Sequence, residues 1–209
     1  EIAGFSDYND YLIASYDFND SATPTKDSVR GLNGTLVNTA KVENGVLVLD
    51  GAGVGVNASQ LTIPSNAVAG YQKLTISADI LVKSDVANYG RFFEITPSWK
   101  EQLLLAFRWN HGGDTYVNKM VAKFGMINND NDVDTTYTPM NFNMYGRWIN
   151  LTVTVDDESI CVYADGFLLS RSDINYNPQI FNYKGANATI VSFGGSPKST
   201  SDKGAAYSM

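Results

Sequence analysis

The chain has 209 residues, of which 44% are hydrophobic and 12% aromatic, so it can bury a sizeable core as one large domain. Its 22 acidic residues outnumber its 15 basic ones without any basic patch, which excludes a nucleic-acid backbone as the expected partner. No apolar run approaches the roughly 18 residues of a membrane-spanning helix, so we expect no membrane insertion. The single cysteine, Cys161, can form no disulfide within the chain and is expected to be a small buried residue.

Apolar and polar residues alternate along most of the chain, which predicts β-strands with one buried face. Glycine, asparagine, aspartate and proline clusters separate these segments, as turns require. In chain order, the predicted strands are 11–18, 45–51, 74–82, 90–95, 103–110, 118–124, 148–155, 159–166 and 188–195. Residues 64–71 suit one helical turn, and the polar stretch 127–141 is predicted to be a surface loop.

Many short strands without a long helix indicate an all-β fold, a sandwich or a barrel of antiparallel strands. No proline- or serine-rich linker divides the chain, and no internal repeat is visible. We therefore expect residues 1–209 to form a single domain.

Three consecutive acids, Asp156, Asp157 and Glu158, stand where the alternation breaks between two predicted strands. Aspartate at such a break favours a tight hairpin turn, in which the carboxylates are well solvated. The acids are therefore interpreted as a turn and not as a catalytic or metal-binding cluster.

Four segments, in order, resemble the laminin-G-like and concanavalin A-like lectin and glucanase domains. They are "YLIASYDFND" (11–20) with "DSVRGLNGTL" (27–36), "GVLVLDGAGVGVNASQLTIP" (45–64), "KLTISADILVKSD" (73–85) and "RWINLTVTVDDESICVYADGFLLSR" (147–171). The resemblance covers most of the chain. It implies an antiparallel two-sheet β-sandwich of the concanavalin A-like jelly-roll type.

The resemblance also implies a final strand that pairs with the first one, here Tyr11–Phe18. The sequence stops after "SFGGSPKSTSDKGAAYSM", just before that strand is expected. An unpaired apolar edge strand promotes aggregation. We therefore expect the chain to be part of a longer polypeptide, or a neighbouring domain or partner segment to supply the missing edge strand.

Some relatives of this family bind a structural calcium ion near the first strand, and hard oxygen ligands suit calcium. The resemblance therefore makes Asp17, Asp20 and Asp27 the candidate metal ligands, although Asp20 is equally suited to capping a turn.

Glucanases of this fold carry Glu-x-Asp-x-x-Glu or a close variant on one strand, so that the acids share a face. None of the five glutamates here has an aspartate two residues later. Glu94 is alone on its predicted strand and is interpreted as a rim residue or a ligand hydrogen-bonding group. No catalytic residue is therefore assigned.

Sugars are bound by flat aromatic rings together with planar amides and charged groups. Trp99 is expected in an exposed turn. Trp109 is expected in the core because it shares the face of Leu103, Leu105 and Phe107. Trp148 is expected in the core because it matches a structural position of the family. The candidate ligand-binding residues are Trp99, Tyr89, Arg91, Arg108, Asn110, His111, Asp114 and Tyr116. An ordinary polar sheet face is an equally good interpretation of this set.

The favoured function is a non-catalytic carbohydrate-binding or adhesion module of a secreted or cell-surface bacterial protein, with a neighbouring glycoside hydrolase domain as one setting for it. Its expected partner is a glycan. One alternative is a glycoside hydrolase or lyase on the same fold, and another is a structural or protein-interaction domain. Fold analogy alone does not separate the three.

Overall fold

The computed structural model describes residues 11–71, 73–98, 101–109, 119–127, 133–140, 144–174, 189–196 and 204–209. Its strands are β1 (Thr35–Val37), β2 (Lys41–Glu43), β3 (Val46–Asp50), β4 (Gln60–Ile63), β5 (Leu74–Val82), β6 (Arg91–Ser98), β7 (Glu101–Trp109), β8 (Lys119–Ile127), β9 (Val133–Met140), β10 (Trp148–Val155), β11 (Ser159–Ala164), β12 (Phe167–Asp173), β13 (Ile190–Phe193) and β14 (Ala206–Ser208). Short 3₁₀ turns cover Gly55–Asn57 and Ser65–Ala67, the second of which confirms the helical turn predicted within 64–71. No helix in these ranges is long and apolar enough to cross a membrane.

The strands form two sheets of seven strands each, which confirms the antiparallel two-sheet β-sandwich. The first sheet has the order β1-β4-β13-β6-β7-β8-β9, and the second has the order β12-β11-β10-β5-β14-β3-β2. In both sheets non-consecutive strands lie side by side, as they do in jelly rolls.

The core lies between the sheets and is built by the predicted alternation. Ile149, Leu151 and Val153 of β10 are buried in it, and Cys161 is buried on the neighbouring strand. Rings from both sheets meet at its centre, where Tyr207 of β14 packs edge-on against Phe92 and Phe107. Burial raises the pKa of the Tyr207 phenol well above its usual value, and its hydroxyl donates a 2.7 Å hydrogen bond to the Phe92 carbonyl.

The hairpin turn predicted at the three acids is confirmed, because β10 ends at Val155 and β11 begins at Ser159. Asp156 closes the turn by accepting hydrogen bonds from the backbone N–H groups of Glu158 (2.9 Å) and Ser159 (2.8 Å). Asp157 forms a 2.7 Å ion pair with Lys73, and that hydrogen bond lowers the pKa of the exposed carboxyl.

The predicted strand at 11–18 is not formed as a strand. Its backbone bonds to a loop instead, because the Ser15 N–H donates to the Asp27 carboxylate (2.8 Å) and the Ser15 carbonyl accepts from Ser28 N–H (3.0 Å). The last residues of the sequence form β14, which lies between β3 and β5 in the interior of the second sheet. A partner segment that pairs with residues 11–18 stays a prediction.

The surface loop predicted at 127–141 is wrong for most of its length, because β9 occupies Val133–Met140 and pairs with β8. Threonine, tyrosine and valine favour a pleated strand, which the high polarity of this stretch concealed. Pro139 is compatible with this position because β9 is the edge of the first sheet, where one side of the strand needs no donor.

Candidate functional site

The first sheet has an outer face that points away from the core and carries its own buried cluster, formed by Leu104, Ala106, Trp109 and Val121. Trp109 reaches this face because of a β-bulge. Ala106 pairs with Val121 but Trp109 pairs with Lys119, so β7 has one more residue than β8 between these pairs. The extra residue shifts the alternation by one position. The prediction that Trp109 is buried is therefore correct, but the prediction that it shares the face of Leu103, Leu105 and Phe107 is wrong.

Tyr89, Arg91 and Trp109 form an aromatic–cation cluster at one end of this face. The Tyr89 and Trp109 rings meet edge-on with their centroids 5.2 Å apart. The Arg91 guanidinium lies 6.0 Å from the Tyr89 centroid and 5.8 Å from the Trp109 centroid, within the range of cation–π attraction. Trp109 is only 7% exposed, whereas Tyr89 is half-buried, so solvent reaches the cluster at Tyr89.

The backbone of Tyr89 is held in an uncommon conformation, with φ at 60°. Its N–H donates a 2.7 Å hydrogen bond to the Arg108 carbonyl, and its own carbonyl accepts a 2.6 Å bond from Arg91 Nη1. Left-handed φ values in bulky residues cost free energy and are concentrated at functional sites. Tyr89 is therefore fixed in place from both sides.

A polar network continues from Arg91 along the same face. Arg91 Nε donates to Glu94 Oε2 at 3.2 Å, and Gln102 Nε2 donates to Glu94 Oε1 at 3.0 Å. Lys123 Nζ in turn donates to Gln102 Oε1 at 3.1 Å. Both carboxylate oxygens of Glu94 are therefore engaged, and four side chains from three strands are fixed relative to one another.

The burial of this network is unusual for the outer face of a sheet. Glu94 is 0% exposed and Arg91 is 3% exposed, and the neighbouring Ser192 is also fully buried. Charged groups are buried only where they are paired and hydrogen-bonded. In the register of the sheet, Glu94 lies between Ser192 and Leu104, and Leu104 lies opposite the half-buried Lys123. The network is thus buried, and Tyr89 and Lys123 are the more accessible side chains at its two ends.

The chemistry of this site suits fixed recognition of a polar ligand. An accessible ring offers an apolar face and a lysine ammonium offers hydrogen bonds, while the buried glutamine amide holds that lysine in place. Because the groups already hold one another, a ligand would meet them without their having to reorganise. Gln102 and Lys123 did not stand out in the sequence, although the alternation around Leu104 places Gln102 on the outer face.

Of the predicted ligand-binding residues, the structure brings together Tyr89 and Arg91, and it shows Arg108 as half-buried on β7. The remaining five lie outside the described residues: Trp99, Asn110, His111, Asp114 and Tyr116. The prediction that Trp148 is in the core is wrong, since it is 49% exposed on the second sheet.

Asp27, one of the three predicted metal ligands, instead organises its own loop. Its two carboxylate oxygens accept hydrogen bonds of 2.8–3.0 Å from the backbone N–H groups of four residues, Ser15, Val29, Arg30 and Leu32. Burial by itself would raise the pKa of Asp27, but these four donors together lower it below the usual value.

Asp20 caps a turn, the alternative foreseen for it, by accepting hydrogen bonds from Ala22 N–H (2.9 Å) and Thr23 Oγ1 (2.6 Å). Asp17 accepts a 3.1 Å bond from Asn19 N–H. Among the described residues no three acidic, histidine or cysteine side chains are grouped so as to hold a metal ion. Calcium binding by Asp17, Asp20 and Asp27 stays a prediction from the resemblance.

No family model matches the chain, and no curated protein matches it. Among solved structures, the chain is similar to domain 4 of AbnA, a GH43 extracellular arabinanase from Geobacillus stearothermophilus, in complex with arabinotriose. The identity is 17%, the match covers 94% of this chain and 90% of that chain, and the TM-score is 0.59.

Two further neighbours are more distant. The Ruminococcus gnavus IT-sialidase CBM40 bound to alpha2,3 sialyllactose has 10% identity, coverage of 84% of this chain and 86% of that chain, and a TM-score of 0.49. The kappa-carrageenase of Pseudoalteromonas carrageenovora has 11% identity, coverage of 86% and 78%, and a TM-score of 0.46. The neighbours are jelly-roll carbohydrate-binding and glycoside hydrolase modules, and at these identities the likeness shows the fold alone.

Proposed function

We propose that this protein is a non-catalytic carbohydrate-binding module that binds a glycan on the outer face of its first sheet. The observation that carries the proposal is the buried network of Arg91, Glu94, Gln102 and Lys123, which ends at the accessible ring of Tyr89. A polar network beside an aromatic ring suits a sugar, because a sugar has apolar C–H faces and hydroxyl groups at its edges. The arabinotriose bound to domain 4 of AbnA supports a glycan as ligand for this fold.

The roles within the site follow from exposure. Tyr89 stacks on a sugar ring, and Lys123 donates to a sugar hydroxyl or ring oxygen. Glu94 and Arg91 are too buried to contact a ligand first, so they position Tyr89 and Gln102. Glu94 is held by Arg91 and Gln102 on both oxygens, which suits a fixed hydrogen-bond acceptor.

The proposal extends to the setting of the module. The likeness to an extracellular arabinanase domain supports a secreted or cell-surface bacterial protein, and a place in a longer polypeptide beside a glycoside hydrolase. The motif resemblance supports a laminin-G-like or concanavalin A-like domain. Binding by a single module is modest, and tethering to a catalytic domain raises the effective concentration of the substrate.

Affinity gel electrophoresis against arabinan, xylan, β-glucan and a sialylated glycan tests the proposal. We expect retention by at least one of them, and we expect Tyr89→Ala to weaken it roughly tenfold, equivalent to about 1.4 kcal/mol. Phe167→Ala is the matched control, because Phe167 is 76% exposed and belongs to the other sheet. The proposal fails if no glycan is retained, or if Tyr89→Ala binds as well as the wild type.

A reducing-sugar assay on the same polysaccharides distinguishes binding from hydrolysis. We expect no product above background. Turnover that disappears in Glu94→Gln, a variant which keeps the shape of the side chain, would favour a glycoside hydrolase instead.

A further inference from the structure

The outer face of the second sheet carries a large exposed aromatic side chain. Along β10, Ile149, Leu151 and Val153 are buried in the core, so Trp148, Asn150 and Thr152 lie on the opposite face. Trp148 is 49% exposed, far more than a tryptophan that serves only to fill a core.

Hydrogen-bonding side chains follow Trp148 along this face. Asn150 Nδ2 donates to Asp79 Oδ1 of the adjacent strand at 3.0 Å, and Thr152 Oγ1 donates to Asn150 Oδ1 at 3.1 Å. The hydroxyls of Ser77 and Thr152 lie 2.7 Å apart across the same two strands. Amide, carboxylate and hydroxyl groups are therefore fixed in a row that remains open to solvent at Ser77 and Asp79.

A neighbouring turn locks the start of this row. Asp165 N–H donates to the Asn150 carbonyl at 2.8 Å, and Asn150 N–H donates to Asp165 Oδ1 at 2.9 Å. Asp165 and Gly166 have φ values of 50° and 81°, which a two-residue turn of the primed type requires at both positions. Asn150 is thus held by the Asp-Gly turn that follows β11.

We propose that this face is a second binding surface, for an uncharged polysaccharide chain. The ring of Trp148 stacks on one sugar, and the row of Asn150, Asp79, Ser77 and Thr152 exchanges hydrogen bonds with the hydroxyls of the following sugars. Tyr163, which lies opposite Thr152 on β11, limits the row at its far end.

The geometry favours an extended ligand. Trp148 and Thr152 are four residues apart on one strand, which corresponds to roughly 13 Å along the sheet. This span exceeds a single sugar ring, so several units of a linear chain lie along it. The Arg147 guanidinium beside Trp148 is paired with Asp165 at 3.2 Å, so the carboxylate of Asp79 is the unbalanced charge in the row; it repels an anionic polysaccharide and accepts hydrogen bonds from a neutral one.

The inference rests on the proposed function for its class of ligand, but it uses different residues. The test is affinity electrophoresis with neutral linear arabinan and β-glucan, and with polygalacturonate as the anionic comparison. The variants are Trp148→Ala, Trp148→Phe, Tyr89→Ala and the double variant Tyr89→Ala/Trp148→Ala. The control is Val56→Ala, because Val56 is 62% exposed in a 3₁₀ turn outside both sheets. Thermal unfolding of each variant shows that it is folded.

We expect Trp148→Ala to weaken retention by a neutral polysaccharide about tenfold, Trp148→Phe to restore most of it, and the double variant to lose retention altogether. Full retention by Trp148→Ala together with loss in Tyr89→Ala would overturn this inference and leave the proposed function intact. Loss in Trp148→Ala with full retention in Tyr89→Ala would support the second surface and contradict the first. Preference for polygalacturonate at the Trp148 face would contradict the neutral ligand.

Discussion

The outer faces of the two sheets both carry polar side chains, but those side chains are buried on the first sheet and solvated on the second. On the first sheet the charged groups are enclosed, with Glu94 and Arg91 almost inaccessible and held by ion pairing. On the second sheet the corresponding groups are short, solvated and hydrogen-bonded to one another, as Asp79 and Asn150 are. The sequences differ accordingly: β10 alternates between buried apolar and more exposed polar residues, whereas the continuous apolar run at 103–107 in β7 is typical of a strand that is buried on both faces.

This difference predicts that substitutions on the two faces will affect the free energy of unfolding and the affinity for ligand to different extents. A buried charge that loses its partner keeps its desolvation cost, whereas an exposed one is rehydrated. Changes on the first sheet should therefore affect folding and binding together, and changes on the second sheet should affect binding alone.

The largest effect is expected for Glu94→Leu, which leaves the guanidinium of Arg91 buried without its carboxylate. We expect the free energy of unfolding to fall by about 3–5 kcal/mol. Asp79→Leu removes a carboxylate from the other outer face and should change it by about 0.5 kcal/mol or less. Denaturation in guanidinium chloride measures both. Equal losses of unfolding free energy in Glu94→Leu and Asp79→Leu would contradict the difference in burial between the two faces.

The double variant Arg91→Met/Glu94→Leu sharpens the same comparison. It removes both charges and fills their volume with apolar atoms, so it should recover much of the stability lost in Glu94→Leu. A double variant no more stable than Glu94→Leu would show that the loss in Glu94→Leu does not come from leaving Arg91 buried without its carboxylate.

The two tryptophans offer an independent measurement. Trp109→Ala should cost about 3–5 kcal/mol, because it empties a packed site on the first sheet. Trp148→Ala should cost clearly less, since half of the side chain is already in water. In variants that carry Trp99→Phe and retain only one of the other two tryptophans, acrylamide should quench the fluorescence of Trp148 strongly and that of Trp109 weakly. Similar quenching of both would contradict the enclosed first face.

A smaller loss of unfolding free energy is expected for substitution of Asp27. Its carboxylate is buried like that of Glu94, but it is hydrogen-bonded to backbone N–H groups instead of to a cation. Asp27→Asn should lower the free energy of unfolding at pH 7 by about 2 kcal/mol, because it weakens four backbone hydrogen bonds.

The pH dependence of that loss has a definite sign. The pKa of Asp27 is lower in the folded than in the unfolded chain, so its stabilisation is full above the unfolded value of about 3.9 and disappears as the pH falls through the folded value. Unfolding of wild type and Asp27→Asn measured between pH 7 and pH 2 should therefore converge in acid. A difference that stays constant over this range would show that ionisation of Asp27 is not its cause.

The class of fold could be predicted from the sequence because period-two alternation specifies strands directly. It gave β5, β10 and β11 with their buried faces, and it located the hairpin turn at Asp156. It failed at Trp109, because a bulge is a property of two paired strands and leaves no mark in one of them. It failed at β9 because pairing with β8 overrides the polar composition of that segment.

The candidate site was predictable only in part. Tyr89 and Arg91 were identified from composition and alternation, and they meet Trp109 in space. Gln102 and Lys123 join the site through cross-strand neighbours, a relation that depends on register. Trp148 was expected in the core because its family position suggested it, yet its place on β10 is on the outer side of the alternation. For Trp148, the alternation of buried and exposed residues along β10 therefore predicts exposure better than the resemblance to the family motif does.

The position of β14 has a bearing on how the chain reaches its native state. This short strand separates β3 from β5, and Tyr207 bonds a carbonyl 115 residues earlier in the sequence. The middle of the second sheet therefore closes only after β14 has left the ribosome. Pairings between such distant residues are slow to form, so the exposed edges of β3 and β5 are where a nascent chain would most need a chaperone.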